Sequence, residues 1–391
     1  MASDDEPSRR QLLAPHTTLG VGGPARSITV VRDRASLLAA LDACPDRAAG
    51  SLLLLGDGSN VVVSDAGFPG AVVVMADGTI TPSVGRDAVT IVADAGVPWD
   101  ELVQASIAAG GAGAELMSGI PGRVGAAPIQ NVAAYGQQVC DVIETVEVLD
   151  RATLTVSEVP ADECGFGFRT SHFKGAWRDR YVIIGVRFRF PLAATHPPEP
   201  STYIDVVKQL ERHGGDPTDV VRRREAVLAA RRSKSMVLDP NDPLTSSVGS
   251  FFLNPTVPLA LAQELAERFA AQGLPVHYLE GRAALDPTTR RVPAALLLRA
   301  AGFNPGDRWG RVKLSDRHVL AIVTEPGATA TDVANVAAFV RERVAESTGV
   351  TLEPEATFIG EFPPYDRQAF LRATPYEPAG DHEPDWLVGY R

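Results

Sequence analysis

The feature that most constrains the fold is the segment at residues 118–136, "SGIPGRVGAAPIQNVAAYG", in which Arg123 is the one charged residue. Glycines recur there at every third position, at Gly119, Gly122 and Gly125. Glycine adopts positive φ without strain and lets the backbone approach another group closely, so a regular helix or strand is disfavoured here. Successive main-chain N–H groups in such a segment can point at one anion without the help of a cation. We therefore predict an anion-binding loop.

A second glycine-rich segment, "LGDGSN" at residues 55–60, directly follows an apolar run that is typical of a strand. Two phosphate-binding loops suit a pyrophosphate, so we predict a dinucleotide ligand. The alternative that Gly simply marks a turn stays open for this shorter segment. A Rossmann fingerprint is excluded because Val61 stands where a third glycine would, and the pattern GxxxxGK[ST] does not occur. Any dinucleotide must therefore bind to another fold.

The bulk composition excludes several classes of protein. A chain of 391 residues is too long for one hydrophobic core and suits two or three domains. A net charge of −11 argues against nucleic-acid binding. The three cysteines are too few for a disulfide framework, and the His and Cys residues lack metal-ligand spacing, so we predict no metal site. Since the sequence contains no apolar run of signal-peptide or membrane-span type, we expect a cytoplasmic protein.

Hydrophobic patterning predicts a mixed α+β fold. In the first half, short apolar strands alternate with a helix capped by Asp33 and a helix that begins at Pro98, and residues 141–160 form a hairpin. In the second half, we predict helices near 218–232, 257–271, 292–301 and 331–346, and strands at "HVLAIVT" and "VTLEPEATFIG". The Pro-rich residues 191–217 are predicted to form a boundary or a mobile excursion, and the tail from Glu361 an irregular or partly disordered segment.

Six ordered motifs resemble one family. They are "HTTLGVGGPA", "LGDGSNVVVSD", "SGIPGRVGAAPIQNVAAYG", "CGFGFRTSHFKG", "GSFFLNP" and "LEPEATFIG". In this order and at these separations, they resemble the UDP-N-acetylenolpyruvoylglucosamine reductases, flavoenzymes of peptidoglycan precursor synthesis known as MurB, from about His16 to Gly360. The resemblance implies an FAD-binding domain of the vanillyl-alcohol-oxidase or PCMH type followed by a smaller α+β substrate-binding domain. The implied boundaries are an N-terminal extension at 1–19, an FAD-binding domain at 20–190, a connecting tyrosine loop at 191–217, a substrate-binding domain at 218–360 and a tail at 361–391.

The resemblance also assigns the ligands. It implies non-covalent FAD, NADPH as co-substrate and a UDP-sugar substrate. We also expect a monomer without nucleic-acid or membrane partners. NADPH and the UDP-sugar are expected to use one site in turn, since no further nucleotide motif is visible. The residues implied to contact FAD are Gly56, Asp57, Gly58, Ser59, Asn60, Ser118, Gly119, Ile120, Pro121, Gly122, Gly125, Ala126, Gln130, Asn131, Tyr135 and Gly136. Those implied to contact the substrate are Tyr203, Lys234 and Asn254, although Ser235 and Met236 are two extra residues between Lys234 and "VLDP" relative to the family form.

Three residues match the catalytic positions of the family. Arg169 matches the arginine on the substrate carboxylate, a role suited to its planar fork of donors. Flanking Phe166, Phe168 and Phe173 are expected to hold it in a drier pocket, and the alternative is a surface arginine. Ser250 matches the proton donor, although a lone serine is usually structural and the sequence shows no base beside it.

Glu355 matches the catalytic carboxylate of the final motif. Glu353 and Glu355 are two residues apart on a predicted strand, with Pro354 between them. From spacing alone, an exposed acidic edge is favoured. Two carboxylates on a buried face would instead raise the pKa of one of them.

Two other functions remain alternatives at this point. A flavin oxidase of the same FAD-binding superfamily would explain both glycine-rich segments but leaves "GSFFLNP" and "LEPEATFIG" without a role. A non-catalytic module that binds a flavin or a nucleotide belongs to a different class, and a protein that takes up no FAD would favour it.

Overall fold

A computed structural model describes residues 11–214, 216–276 and 286–380. The helices are α1 (Arg34–Asp42), α2 (Trp99–Ala108), α3 (Ile204–His213), α4 (Val220–Arg232), α5 (Leu259–Ala271), α6 (Ala294–Ala300), α7 (Ala330–Thr348) and α8 (Arg367–Ala373). The strands are β1 (Ala25–Val31), β2 (Leu52–Leu55), β3 (Val61–Val63), β4 (Phe68–Met75), β5 (Ile80–Val84), β6 (Ala88–Asp94), β7 (Ala133–Ala134), β8 (Gln137–Gln138), β9 (Ile143–Asp150), β10 (Val156–Pro160), β11 (Tyr181–Pro191), β12 (Thr256–Pro258), β13 (Thr289–Arg291), β14 (Arg308–Trp309), β15 (Val312–Ser315), β16 (His318–Thr324), β17 (Thr357–Ile359) and β18 (Tyr376–Glu377).

The chain divides into two compact units. The first contains Ala25–Gly58 and Phe68–Leu238, and the second contains Leu12–Pro24, Ser59–Gly67 and the chain from Asp239 onward. The sequence-based boundaries at 190 and 218 do not coincide with this division, because residues 191–238 cluster with the first unit.

The first unit combines a parallel and an antiparallel sheet. The parallel sheet has the strand order β1-β4-β2, and the antiparallel sheet has the order β10-β9-β11-β6-β5. The predicted hairpin at 141–160 is confirmed as the β9–β10 pair. The core of the antiparallel sheet includes Trp99 of α2 and Phe188 of β11, whose rings meet edge to face at 6.2 Å.

The second unit is built around a four-stranded antiparallel sheet with the order β16-β15-β14-β18. A parallel pair, β17 and β3, places residues 357–359 beside residues 61–63. Helix α7 packs its apolar face into the core and ends at Gly349, whose φ of +73° lies in the left-handed region. The predicted end of this helix is therefore confirmed.

Three expectations for the second half of the chain are wrong. Residues 191–217 are not only an excursion, because α3 forms within them and buries Val206 against α4. The strand predicted at "VTLEPEATFIG" is confined to Thr357–Ile359, since the preceding residues of the motif form only an isolated bridge at Pro354. In the described part of the tail, residues 361–380, the expectation of an irregular segment is wrong, because α8 and β18 form there and the Tyr376 ring stacks on the Trp309 ring at 5.1 Å.

Candidate functional site

The glycine-rich segment at 118–136 forms a compact series of turns in the first unit. A 3₁₀ turn at Glu115–Met117 precedes it, a second at Val124–Ala126 lies inside it, and the β7–β8 hairpin encloses its end. Ser118 is fully buried and its hydroxyl donates to the Glu115 carbonyl at 2.6 Å. These turns and hydrogen bonds within the protein fix the conformation of the segment.

Two of its glycines are required by packing. A Cβ at Gly119 would lie 2.7 Å from the Leu228 side chain of α4, and Gly119 has a φ of +69°. A Cβ at Gly125 would lie 2.6 Å from the Ala95 side chain. The two amides are also used internally, since Gly119 donates to Asp100 at 2.7 Å and Gly125 to the Ala95 carbonyl at 2.9 Å. These two glycines therefore shape the loop and do not offer their N–H groups to an anion.

Other amides remain available for an anionic ligand. Within the part of the chain that the structure describes, the N–H groups of Gly58 and Gly122 donate no hydrogen bond, and both residues have positive φ. Glycines with unused N–H groups are what a main-chain diphosphate cradle requires. The residues present thus fit the predicted FAD diphosphate.

Arg123 joins the two glycine-rich loops. Its Nε donates to the Asp57 carboxylate at 2.5 Å, and its Nη1 donates to the carbonyls of Ala76 and Gly96 at 2.7 and 3.0 Å. A Cβ at Gly56 would lie 2.8 Å from the Arg123 side chain, so the loops lie side by side. The sequence alone indicates no role for Arg123, because no local feature reveals a partner 66 residues away.

Asn131 connects the segment to the loop that carries Arg169. Its side chain is buried, with Nδ2 donating to the Gly167 carbonyl at 2.9 Å and Oδ1 accepting from the Cys140 amide at 3.1 Å. Both Asn131 and Arg169 have positive φ, at +46° and +53°. Because non-glycine residues rarely adopt such φ, the surrounding fold must hold the backbone at these two positions. Neighbouring Gln130 is half-buried.

Arg169 lies half-buried on a tight turn closed by the Gly167–Thr170 bridge. Lys174 donates to the Arg169 carbonyl at 3.2 Å, which further fixes the turn. The three phenylalanines predicted to flank Arg169 differ in their burial. Phe173 belongs to the hydrophobic core, Phe166 packs against that core, and Phe168 is 46% exposed.

Tyr203 contacts the end of the glycine-rich segment. Its ring meets the Tyr135 ring edge to face at 5.7 Å, and a Cβ at Gly136 would lie 3.2 Å from the Tyr203 ring. Tyr203 immediately precedes α3, the helix missed by the sequence analysis. The structure therefore brings a predicted substrate residue together with two predicted FAD residues.

Lys234 forms an ion pair with Asp205 of α3 and is largely buried. The two extra residues that follow it complete the turn after α4. Ser235 adopts a φ of +53°, and the Met236 carbonyl accepts from Arg231 at 2.7 Å. Arg231 also donates to the Gly119 carbonyl at 3.3 Å, so this turn is tied to the glycine-rich segment.

Asp100 holds the Gly119 amide and forms a bidentate pair with Arg224, with both N–O distances at 2.6 Å. Burial opposes ionisation and raises the pKa of Asp100, but the hydrogen bonds from Arg224 and Gly119 outweigh it and leave the pKa below its usual value.

We therefore expect Asp100→Asn to lower the free energy of unfolding by about 1–3 kcal/mol at neutral pH. Because the folded pKa is depressed, this contribution is fully present above the unfolded value of about 4 and is lost as pH falls through the folded pKa. Urea unfolding of both proteins against pH measures the difference. A difference that grows on acidification would contradict this assignment.

In the second unit, Ser250 follows Gly249, which has a φ of +73°. Residues 250–252 run beside β16 through a bridge between Ser250 and Ala321 and a hydrogen bond of 2.8 Å from the Phe251 amide to the Leu320 carbonyl. Phe251 is fully buried, so the core fixes the backbone at Ser250.

The Ser250 hydroxyl lies 3.0 Å from Nε2 of His318, the first residue of β16. Both side chains are half-buried. The sequence alone indicates no base beside this serine, because the two residues are 68 positions apart and His318 belongs to no local motif. His318 is the functional candidate that sequence reasoning missed.

Glu355 lies beside the Ser250 segment. Its amide donates to the Phe251 carbonyl at 2.8 Å, and its carbonyl accepts from Asn60 at 3.3 Å. Glu355 is half-buried whereas Glu353 is exposed, so the alternative of two carboxylates on one buried face is wrong. Asn60 and Ser59, predicted FAD residues, belong to this second unit.

Asn254 has a structural contact of its own. Its Oδ1 accepts from the Ala294 amide at 2.8 Å, at the first turn of α6.

Among the described residues, no group of three or more His, Cys, Asp or Glu side chains could hold a metal ion. In the same ranges, no helix has the length and apolarity needed to cross a bilayer.

Comparison with known families identifies both parts of the chain. Residues 25–158 match the model of a family described as FAD binding domain. Residues 239–359 match the model described as UDP-N-acetylenolpyruvoylglucosamine reductase, C-terminal domain. The prediction of an α+β protein with an FAD-binding domain and a separate C-terminal domain is confirmed.

Full-length relatives extend the match. The UDP-N-acetylenolpyruvoylglucosamine reductase of Thermobifida fusca (strain YX) is 41% identical over 358 residues, which covers 90% of this chain and 98% of that protein. The enzyme of the same name from Salinispora arenicola (strain CNS-205) is 40% identical over 361 residues, covering 91% of this chain and 97% of that protein. The crystal structure of the reductase MurB from Thermus caldophilus shares the fold, with a TM-score of 0.57 at 24% identity over 89% of this chain and 97% of that chain.

Proposed function

Because the chain belongs to the UDP-N-acetylenolpyruvoylglucosamine reductase family, we propose that it reduces UDP-N-acetylenolpyruvoylglucosamine to UDP-N-acetylmuramate with electrons from NADPH. The observation that supports this most strongly is the 41% identity over 90% of the chain and 98% of a relative of that name. The proposed product places the protein in peptidoglycan precursor synthesis.

The proposed cofactor is non-covalent FAD, which when bound supplies the hydride for the enolpyruvyl double bond. Main-chain N–H groups at Gly58 and Gly122 are the proposed donors to its diphosphate. Arg123 supports both loops and neutralises Asp57, so that the carboxylate does not repel the anion. We propose Ser59, Asn60, Gln130, Tyr135 and the other sequence-predicted residues of the two glycine-rich segments as further FAD contacts, apart from the N–H groups of Gly119 and Gly125.

Arg169 is the proposed partner of the substrate carboxylate. Negative charge builds on that carboxylate when the neighbouring carbon accepts electrons, so an arginine there favours the transition state over the ground state. The positive φ at Arg169 and the contacts from Asn131 and Lys174 support this role, because they fix the backbone that presents the guanidinium. Fixed donors need no reorganisation during the reaction.

Ser250 is the proposed proton donor to the enolate, and Glu355 the proposed second acid–base residue of the site. The backbone hydrogen bond between Glu355 and Phe251 supports a common role for these neighbouring segments. Tyr203, Lys234 and Asn254 are the proposed contacts to the UDP-sugar. The packing of Tyr203 on Tyr135 supports its placement at a ligand site.

Steady-state kinetics under anaerobic conditions test this proposal. We expect NADPH oxidation only when UDP-N-acetylenolpyruvoylglucosamine is present, a product heavier by two hydrogens, and parallel double-reciprocal lines, since the two substrates bind in turn. Turnover that requires oxygen instead of the enolpyruvyl substrate would favour a flavin oxidase. A protein that takes up no FAD would contradict both enzymes.

A further inference from the structure

The direction in which the Ser250 hydroxyl points its proton depends on which group donates the hydrogen bond between Ser250 and His318. A serine hydroxyl has one proton to donate, whereas neutral imidazole has one nitrogen that donates and one that accepts. If Nε2 of His318 accepted the serine proton, that proton would be held by the imidazole. If Nε2 carries the hydrogen, the serine oxygen accepts and its own proton is directed elsewhere.

We propose that His318 is a positioning residue for proton transfer: its Nε2–H donates to Oγ of Ser250, 3.0 Å away, and thereby directs the serine proton to the substrate. This inference rests on the proposed function of Ser250 as proton donor. It answers the chemical difficulty that a serine hydroxyl is a weak acid, because a donor aimed at Oγ stabilises the negative charge that develops there.

The backbone fixes this pair. His318 follows a two-residue turn between β15 and β16, and Phe251 and Leu320 are joined by a backbone hydrogen bond. The backbone at Ser250 is therefore paired with β16, the strand that His318 begins. A donor held in place before the reaction stabilises developing charge without a cost of reorganisation.

The proton transfer balances without a further reactant. The O–H bond of Ser250 breaks, and a C–H bond forms at the carboxyl-bearing carbon of the enolate. The electron pair of the broken bond stays on Oγ, where the hydrogen bond from His318 becomes charge-assisted and stronger. A proton from solvent restores the hydroxyl before the next turnover.

Two substitutions at His318 distinguish the effect of the N–H donor from the effect of replacing the side chain. His318→Leu removes the hydrogen bond, whereas His318→Gln offers an amide N–H close to the position of Nε2. We expect His318→Leu to slow reoxidation of the reduced holoprotein by UDP-N-acetylenolpyruvoylglucosamine by about 10²-fold. His318→Gln should stay within roughly 10-fold of the unsubstituted protein, since a neutral donor is retained.

Controls distinguish this result from misfolding and from failure of the proposed function. The rate of flavin reduction by NADPH in each variant reports on the integrity of the site, and His196→Leu replaces an exposed histidine of the first unit. Wild-type reoxidation rates in His318→Leu, or equal losses in the Leu and Gln variants, would overturn the proposal. If the unsubstituted protein is never reoxidised by this substrate, the proposed function fails instead.

A spectroscopic measurement tests the hydrogen-bond direction without turnover. In the full-length protein labelled with [15N]histidine, the His318 Nε2 signal should be that of a protonated nitrogen and should shift in Ser250→Ala. An Nε2 signal typical of an unprotonated acceptor would overturn the proposal, whatever the protein catalyses.

Discussion

Ser250→Ala is expected to slow reoxidation of the reduced flavin by UDP-N-acetylenolpyruvoylglucosamine by several orders of magnitude, roughly 10³–10⁴-fold. The substitution removes the only proton that this side chain can give, whereas the backbone at this position is fixed by β16 and by Phe251. Reduction by NADPH needs no proton from Ser250 and should keep its rate. Anaerobic stopped-flow absorbance at the flavin band measures both half-reactions.

Ser246→Ala is a matched control in the same segment. Among the described residues, the hydrogen bonds of Ser246 involve its backbone: its carbonyl accepts from Thr324 at 3.1 Å, and its amide donates to the Pro243 carbonyl at 3.3 Å. We expect both half-reactions to keep their rates in this variant. Equal loss of both half-reactions in Ser250→Ala would indicate damage to the fold and would remove Ser250 from the mechanism.

The largest effect on stability is expected for Glu115→Ala. Glu115 is fully buried and pairs with Arg223, which is 3% exposed, at 2.8 Å. It also accepts from the Gly113 amide and from Gln137, both at 2.8 Å. Truncation leaves the guanidinium charge buried without its carboxylate, which costs about 3–5 kcal/mol of unfolding free energy.

This loss corresponds to a fall in Tm on the order of 10 °C for a unit of this size, measured by differential scanning calorimetry. The same substitution releases the turn that precedes Ser118, so FAD affinity should fall as well. Glu225→Ala is the matched control, since Glu225 forms an exposed pair with Arg222 and should change the unfolding free energy by less than about 0.5 kcal/mol. A Tm for Glu115→Ala equal to that of the control would contradict this role.

Local signals in the sequence predicted most elements because their physical causes are local. Asp33 accepts from the Ser36 amide as a helix cap should, and Gly349 ends α7 in the left-handed conformation. The tail was mispredicted because its order is tertiary. The Tyr376 hydroxyl donates to buried Asp307 at 2.7 Å, and no residue near either one in the sequence indicates that contact.

The candidate site shows the same limit. The motifs indicated Asn131 and Ser250, but not that Asn131 would bond to the Gly167 carbonyl or that Ser250 would meet His318. Hydrogen bonds across 36 and 68 residues depend on the packing of whole strands. Residue types and spacing within a motif therefore name the groups, whereas the fold decides which of them support one another.

The central claim is that this chain transfers hydride equivalents from NADPH to an enolpyruvyl UDP-sugar, and one anaerobic titration tests it most directly. The purified protein is loaded with FAD, reduced with one equivalent of NADPH and mixed with UDP-N-acetylenolpyruvoylglucosamine without oxygen. We predict that the flavin absorbance returns in proportion to the substrate added, with one UDP-N-acetylmuramate formed per flavin. A flavin that stays reduced at every substrate concentration would contradict the account.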